Sequence, residues 1–143
     1  MIQQETAIEG FFEAFQRKSN SDDIPSMVSH FAETFLAAGP QGAQCVRSTD
    51  FAAVLPKRKQ RFERLGCQPA TLVTLQQTPL DARYVIAKTT WRLDFALGNA
   101  GMEEVFVDST YLLDTGAREF KIVLYLTHQD IMQVLRERAI LQD

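Results

Sequence analysis

The sequence predicts an α+β fold, with amphipathic helices first, then a curved antiparallel sheet wrapped around them, then a last helix. Three observations carry this. Apolar residues recur at helical spacing as far as Leu65 and switch to strand-like spacing beyond Pro69. Two runs rich in Val, Ile, Tyr, Phe and Thr, Val105–Leu113 and Phe120–Thr127, flank a turn signal at Asp114-Thr115-Gly116. Both runs carry apolar residues at odd and even positions, so the sheet is expected to be covered on both faces. Helices segregated before an antiparallel sheet define the α+β class. A sheet that curls to bury their stripes leaves a cone with a pocket between helices and strands.

The elements follow in order. Ile8, Phe11, Phe12 and Phe15 fall at i, i+3, i+4 and i+7, the single apolar stripe of a first helix. Thr6 to Glu9 fits a capping box at or inside its start. Ser19 to Asp23 breaks the pattern. A second helix is expected from Pro25, with Ile24, Met27, Val28 and Phe31 on one side and Ser26, Ser29, His30 and Glu33 on the other. Phe35–Ala38 reads as a short strand, Gly39-Pro40-Gln41-Gly42 as a turn, and Ala43–Val46 as the returning strand. Ser48, Thr49 or Asp50 caps a third helix that buries Phe51, Val54, Leu55, Phe62 and Leu65. Pro56 should kink or restart it, and Gly66 ends it.

Thr71–Thr78 and Tyr84–Leu97 are the first two long strands, joined through Leu80-Asp81-Ala82. The second is long enough to curve or carry a bulge. Val85, Ala87, Trp91, Leu93 and Phe95 point one way from it; Lys88, Thr90, Arg92 and Asp94 point the other. Asp130 caps a last helix with Ile131, Val134, Leu135 and Leu141 on one side and Arg136, Glu137 and Gln142 on the other. The chain is read as one domain over residues 1–143.

Composition narrows the function. The 143 residues are 45% hydrophobic, with ten Phe against one Trp and three Tyr, so the interior is apolar with few polar handles. A net charge of −3 leaves no basic excess for nucleic acid. The densest basic run, Lys57-Arg58-Lys59-Gln60-Arg61, reads as a solvated helix face. Cys45 and Cys67 form no metal-spaced pair and read as reduced thiols of a cytoplasmic protein. No apolar run approaches membrane-spanning length. Two histidines exclude a histidine-rich metal site, and no phosphate loop, nucleophile elbow or metal-ligand cluster appears, so neither metal nor cofactor is expected.

The element order, with Phe31-Ala32-Glu33-Thr34-Phe35-Leu36 after the second helix, resembles the nuclear transport factor 2-like superfamily across almost the whole chain. That resemblance implies a cystatin-like cone, shared by steroid isomerases, SnoaL-like polyketide cyclases and scytalone dehydratases, and a homodimer formed through the outer face of the sheet. Against the ketosteroid isomerases, the position of the oxyanion-hole tyrosine is Phe15. That of the general-base aspartate is Gly39, and the residue resembling the protonated aspartate is Asp108, within Phe106-Val107-Asp108-Ser109. Proton abstraction beside a carbonyl needs a base and an enolate donor. With the base position empty, steroid isomerase activity by that mechanism is not expected.

The candidate chemistry starts at Asp108. Facing the pocket among Phe side chains, it would have a raised pKa and serve as an acid or a neutral donor; otherwise it pairs with Arg92 or Lys121, or faces solvent. His30 is the candidate pocket-mouth base. Phe12, Phe15, Phe31, Phe62, Arg92 and Tyr125 are expected to line the pocket. Arg92 and Asp94 offer either a polar pocket wall or a dimer-facing network. The favoured function is binding of a small apolar ligand, or of a partner. The alternatives are a cofactor-free SnoaL-like isomerase, cyclase or dehydratase using Asp108, and a structural dimerisation module whose cone is filled by Phe12, Phe15 and Phe62.

Overall fold

The computed structural model describes residues 2–116 and 118–140. Its order is α1 (Ile2–Ser19), α2 (Ile24–Val28), β1 (Phe31–Gly39), β2 (Gly42–Arg47), α3 (Ser48–Arg64), β3 (Thr71–Pro79), β4 (Tyr84–Ala96), a 3-10 turn at Gly98–Ala100, β5 (Met102–Asp114), β6 (Lys121–Thr127) and α4 (Ile131–Glu137). This is the expected α+β architecture, with an open six-stranded sheet curved over the helices.

The strands run β2-β1-β6-β5-β4-β3 across the sheet. Every pairing is antiparallel except β1 with β6, which is parallel. That pair corrects the purely antiparallel sheet read from the sequence, and it also shortens the second helix. Phe31 is not the last apolar residue of α2. It is the first residue of β1, paired with Ile122, and the Ile122 amide donates to the His30 carbonyl at 2.8 Å. A long-range ladder thus overrides a local helical pattern only five residues long.

The helices bury what their spacing predicts. Ile8, Phe12 and Phe15 of α1 are buried and Phe11 is half-buried. The helix begins at Ile2, so Thr6 lies inside it rather than at a cap. In α3 Leu55 is buried and Phe51, Phe62 and Leu65 are half-buried, but Val54 is 58% exposed, one position off the stripe. Pro56 sits in α3 without ending it. It lies on the exposed side, where the hydrogen bond it removes faces water. Asp130 caps α4 by accepting from the Gln133 amide. Leu141 and Gln142, expected on that helix, lie outside the described residues.

The curvature comes from bulges. An extra residue enters β3 between Leu72 and Thr74, and another enters β6 opposite the Leu112-Leu113 step. The 13-residue β4 runs in unbroken register against β5. The inner face carries two clusters. One joins α1 to Val85, Ala87, Trp91, Tyr111 and Leu113; the other joins Leu135 and Ile140 to Phe95 and Val105. The outer face carries Lys88, Thr90, Arg92 and Asp94 of β4 beside Phe106, Asp108 and Thr110 of β5. Phe106 is 49% exposed there. No helix among the described residues is long and apolar enough to cross a membrane.

Candidate functional site

A cavity of about 360 Å³ opens between α1, α3 and the inner face of the sheet. Two-residue periodicity of the strands decides what reaches it. From β5 the inward residues are Val107, Ser109 and Tyr111; from β4, Trp91 and Leu93; from β6, Tyr125 and Thr127. The helices add Phe15, Met27, Phe51, Leu55 and Phe62, and β1 adds Phe31. Of the residues expected to line a pocket, Phe15, Phe31, Phe62 and Tyr125 do so. Phe12 does not: it is fully buried behind Phe15 and Tyr111, with ring centroids 6.2 and 5.2 Å away. The phenylalanines therefore wall the cone without filling it.

Arg92 is corrected as well. It points to the outer face, where its Nε lies 3.2 Å from Asp94 Oδ1. Its neighbour Trp91 takes the inward position, as the alternation of β4 requires. Asp108 points the same way as Arg92, out of the cone. The Thr90 hydroxyl donates to its Oδ1 at 2.8 Å and the Gln129 amide to its Oδ2 at 3.0 Å. Those two bonds, with the nearby His128, hold its pKa below the usual carboxylate value. The sequence argument required an inward carboxyl with a raised pKa. The geometry provides an exposed, ionised one, so acid/base work by Asp108 inside the cavity does not fit this structure. The inward positions beside it are Val107 and Ser109, neither of which is acidic.

His30 does not border the cavity. It sits between α2 and β1 with its ring against Phe11 and Phe15, centroids 5.0 and 5.4 Å away. Nδ1 lies 3.0 Å from the Ser26 carbonyl and 3.3 Å from that of Met27, and carbonyls only accept, so Nδ1 carries the proton. Burial lowers its pKa, against the pull of those two carbonyls. This is a histidine that ties α2 to the core.

The polar floor of the cavity lies elsewhere. The Tyr111 and Tyr125 rings stack at 5.2 Å and 9°. The Trp91 Nε1–H donates to Thr89 Oγ1 at 3.0 Å, and the Thr89 hydroxyl donates to the Ser109 carbonyl at 3.0 Å. Burial pushes the Tyr111 phenol well above its ordinary pKa and the neighbouring Tyr125 phenol adds to this, while the polar side chains of Trp91 and Ser109 and the charge of Arg58 oppose it. Tyr111 therefore stays neutral and can donate or accept a hydrogen bond. Cys67 borders the opening, but burial and Asp94 push its thiol up to about 11, so it is not an activated nucleophile. No cluster of His, Cys, Asp or Glu able to hold a metal ion occurs among the described residues.

Sequence reasoning missed Ser109, Thr127 and Arg58 as cavity residues. Arg58 carried a readable signal. Phe51, Leu55, Arg58 and Phe62 are spaced 4, 3 and 4 apart, which places the arginine in line with the apolar stripe of α3 although its side chain stays exposed.

The comparisons agree with this fold. Among solved structures, an NTF-2 like protein of unknown function from Shewanella oneidensis MR-1 superposes with a TM-score of 0.72 at 12% identity, covering 88% of this chain and 99% of that one. An NTF2-like protein with a cystatin-like fold from Novosphingobium aromaticivorans gives 0.74 at 12% identity, covering 99% and 91%. A ketosteroid isomerase-like protein from Erwinia carotovora atroseptica SCRI1043 gives 0.66 at 14% identity, covering 87% and 95%. At such identities the likeness extends to the fold alone. No curated protein matches the sequence significantly. The family model described as NTF2-like protein (DUF6841) matches residues 3–130, nearly the whole chain. The chain belongs to this family of NTF2-like proteins.

Proposed function

We propose that the chain binds a small, largely apolar ligand inside its cone. The observation that carries this is the 360 Å³ cavity itself, with an aromatic wall and hydroxyls of Ser109, Tyr111, Tyr125 and Thr127 on its inner side. Its size falls within the range of about 300–1,000 Å³ typical of small-molecule pockets, which combine apolar walls with a few orienting polar groups. A catalytic reading lacks a base: Asp108 faces outward, His30 is engaged with backbone carbonyls, and position 39 is glycine. A cytoplasmic setting, in which Cys45 and Cys67 remain thiols, fits the same reading.

The test uses the neutral dye N-phenyl-1-naphthylamine, whose emission rises in apolar surroundings. The expected result is saturable binding by the wild type, with the emission of the single Trp91, which borders the cavity, quenched by energy transfer to the dye. Val107→Phe places a ring in the space and should weaken binding by about tenfold or more, equivalent to about 1.4 kcal/mol. Equal binding by the variant would remove the cavity as the site.

The proposal includes a homodimer packed through the outer face. Ile86, Leu112 and Leu124 stand in register across β4, β5 and β6, and the half-exposed Phe106 lies on the same face. That face also carries both signs of charge, Lys88 and Arg92 with Glu104 and Asp108, as a self-complementary two-fold interface needs. Sedimentation should give twice the 16.2 kDa chain mass, falling to a single chain in Phe106→Asp. A wild-type chain that sediments as a monomer at high concentration rejects the dimer and leaves the pocket reading intact.

A further inference from the structure

We infer that the ligand is a small monocarboxylic acid, with an apolar body held by the aromatic wall and its carboxylate received by Arg58 at the opening. This rests on the ligand-binding reading above and specifies the ligand class.

The argument begins with the cations around the cavity. Lys18, Arg58 and Lys59 border it. Lys18 pairs with Asp23 at 3.8 Å. Lys59 donates to the Ser21 carbonyl and lies 3.8 Å from Asp22, clamping α3 to the segment after α1. Arg58 has no carboxylate at ion-pair distance among the described residues. Its guanidinium lies instead over the Phe62 ring, 5.7 Å from the centroid. Phe62 is itself a wall of the cavity. Stacking on an aromatic face leaves the N–H groups at the guanidinium edge free to bond.

Placement on the stripe with Phe51, Leu55 and Phe62 aims this charge at the cavity, and its influence reaches the buried Tyr111, whose phenol it pulls down against burial. A planar fork with free donors beside an apolar wall matches a carboxylate. The opposing charges at the opening are Asp22 and Glu63. Asp22 faces Lys59. Glu63 is five residues beyond Arg58, about 7.5 Å along the helix axis. The inner wall of the cavity carries no carboxylate at all, so an acid entering body-first meets repulsion only at the rim.

The experiment displaces bound N-phenyl-1-naphthylamine from the full chain with 4-phenylbutyrate, its amide and its alcohol, in wild type and in Arg58→Gln. The expected result is that the wild type prefers the acid over both neutral analogues by about tenfold, the scale of a charge-assisted hydrogen bond at a partly exposed site. The preference should shrink from 50 to 500 mM salt. In Arg58→Gln it should vanish, the acid losing about tenfold while the alcohol loses at most about twofold, and the melting temperature should move by no more than about two degrees, since Arg58 is an exposed helix residue. Equal affinity of acid and amide in the wild type overturns the inference and leaves the pocket reading standing. A preference that survives Arg58→Gln also overturns it, because Lys18 or Lys59 would then be the receptor. Absence of any dye binding overturns the pocket reading, and this inference with it.

Discussion

Phe12→Ala is expected to cost about 3–5 kcal/mol of folding stability, the range for removing a fully buried aromatic ring. Phe12 has no exposed surface, and its ring meets Phe11, Phe15 and Tyr111 at centroid distances of 5.3, 6.2 and 5.2 Å. It is the plug by which α1 closes the concave side of the sheet. The stiff inward strand residues around it cannot fully collapse into the vacated space, so the cavity penalty adds to the lost burial. Against a total stability of about 5–15 kcal/mol the loss is severe. Thermal unfolding followed by circular dichroism should show a drop of about 10–20 °C. Phe12→Leu, which keeps most of the volume, should cost less than about 1.5 kcal/mol. If Phe12→Ala instead melts within a degree or two of wild type, α1 is not the element that seals the cone.

Gly66→Ala should cost about 2–4 kcal/mol, for two separable reasons. Gly66 has φ +84°, a conformation that costs an L side chain about 1–2 kcal/mol. Its added Cβ would also lie 2.2 Å from the carbonyl oxygen of Ala96, a backbone atom that cannot move aside. The Gly66 carbonyl accepts from the Ala96 amide at 2.8 Å, and the Gln68 amide donates to the Asp94 carbonyl at 2.7 Å. Together these bonds weld the end of α3 to the end of β4. Gly98→Ala is the control: φ is +62° but nothing lies within 4 Å of its Cβ. It should carry only the conformational cost of about 1–2 kcal/mol. Equal losses in chemical denaturation for the two variants would mean that the α3–β4 junction yields easily. Because Cys67, next to Gly66, borders the cavity and its amide donates to the carbonyl of Phe62, another cavity residue, Gly66→Ala should also weaken ligand binding where Gly98→Ala does not.

The candidate site was less legible than the fold, and Asp108 shows why. In the run Val105-Phe106-Val107-Asp108 both parities look apolar, so spacing alone does not say which parity faces inward. Phe106 is the residue that misleads, since it is large and apolar yet half-exposed on the outer face. β4 is the contrast: its clean alternation already separated Trp91 from Arg92, and only the choice of concave face remained open. Arg58 was obscured by its neighbours, because Lys57, Lys59 and Arg61 make the whole run read as solvated although 51, 55, 58 and 62 share one helical face.

By itself, the sequence determined the α+β class, the stripe of α1, the helical frame of α3, the long strands β3 to β6 and the cap of α4. These are local matters of periodicity, propensity and turn chemistry, which a chain carries in adjacent residues. Only the tertiary structure decided the parallel pairing of β1 with β6, the early end of α2, the outward aim of Asp108 and Arg92, and the open space beside Tyr111 and Arg58. Each of these depends on register or on packing between residues far apart in sequence. A one-residue slip in pairing exchanges the inner and outer faces of a strand without altering its composition.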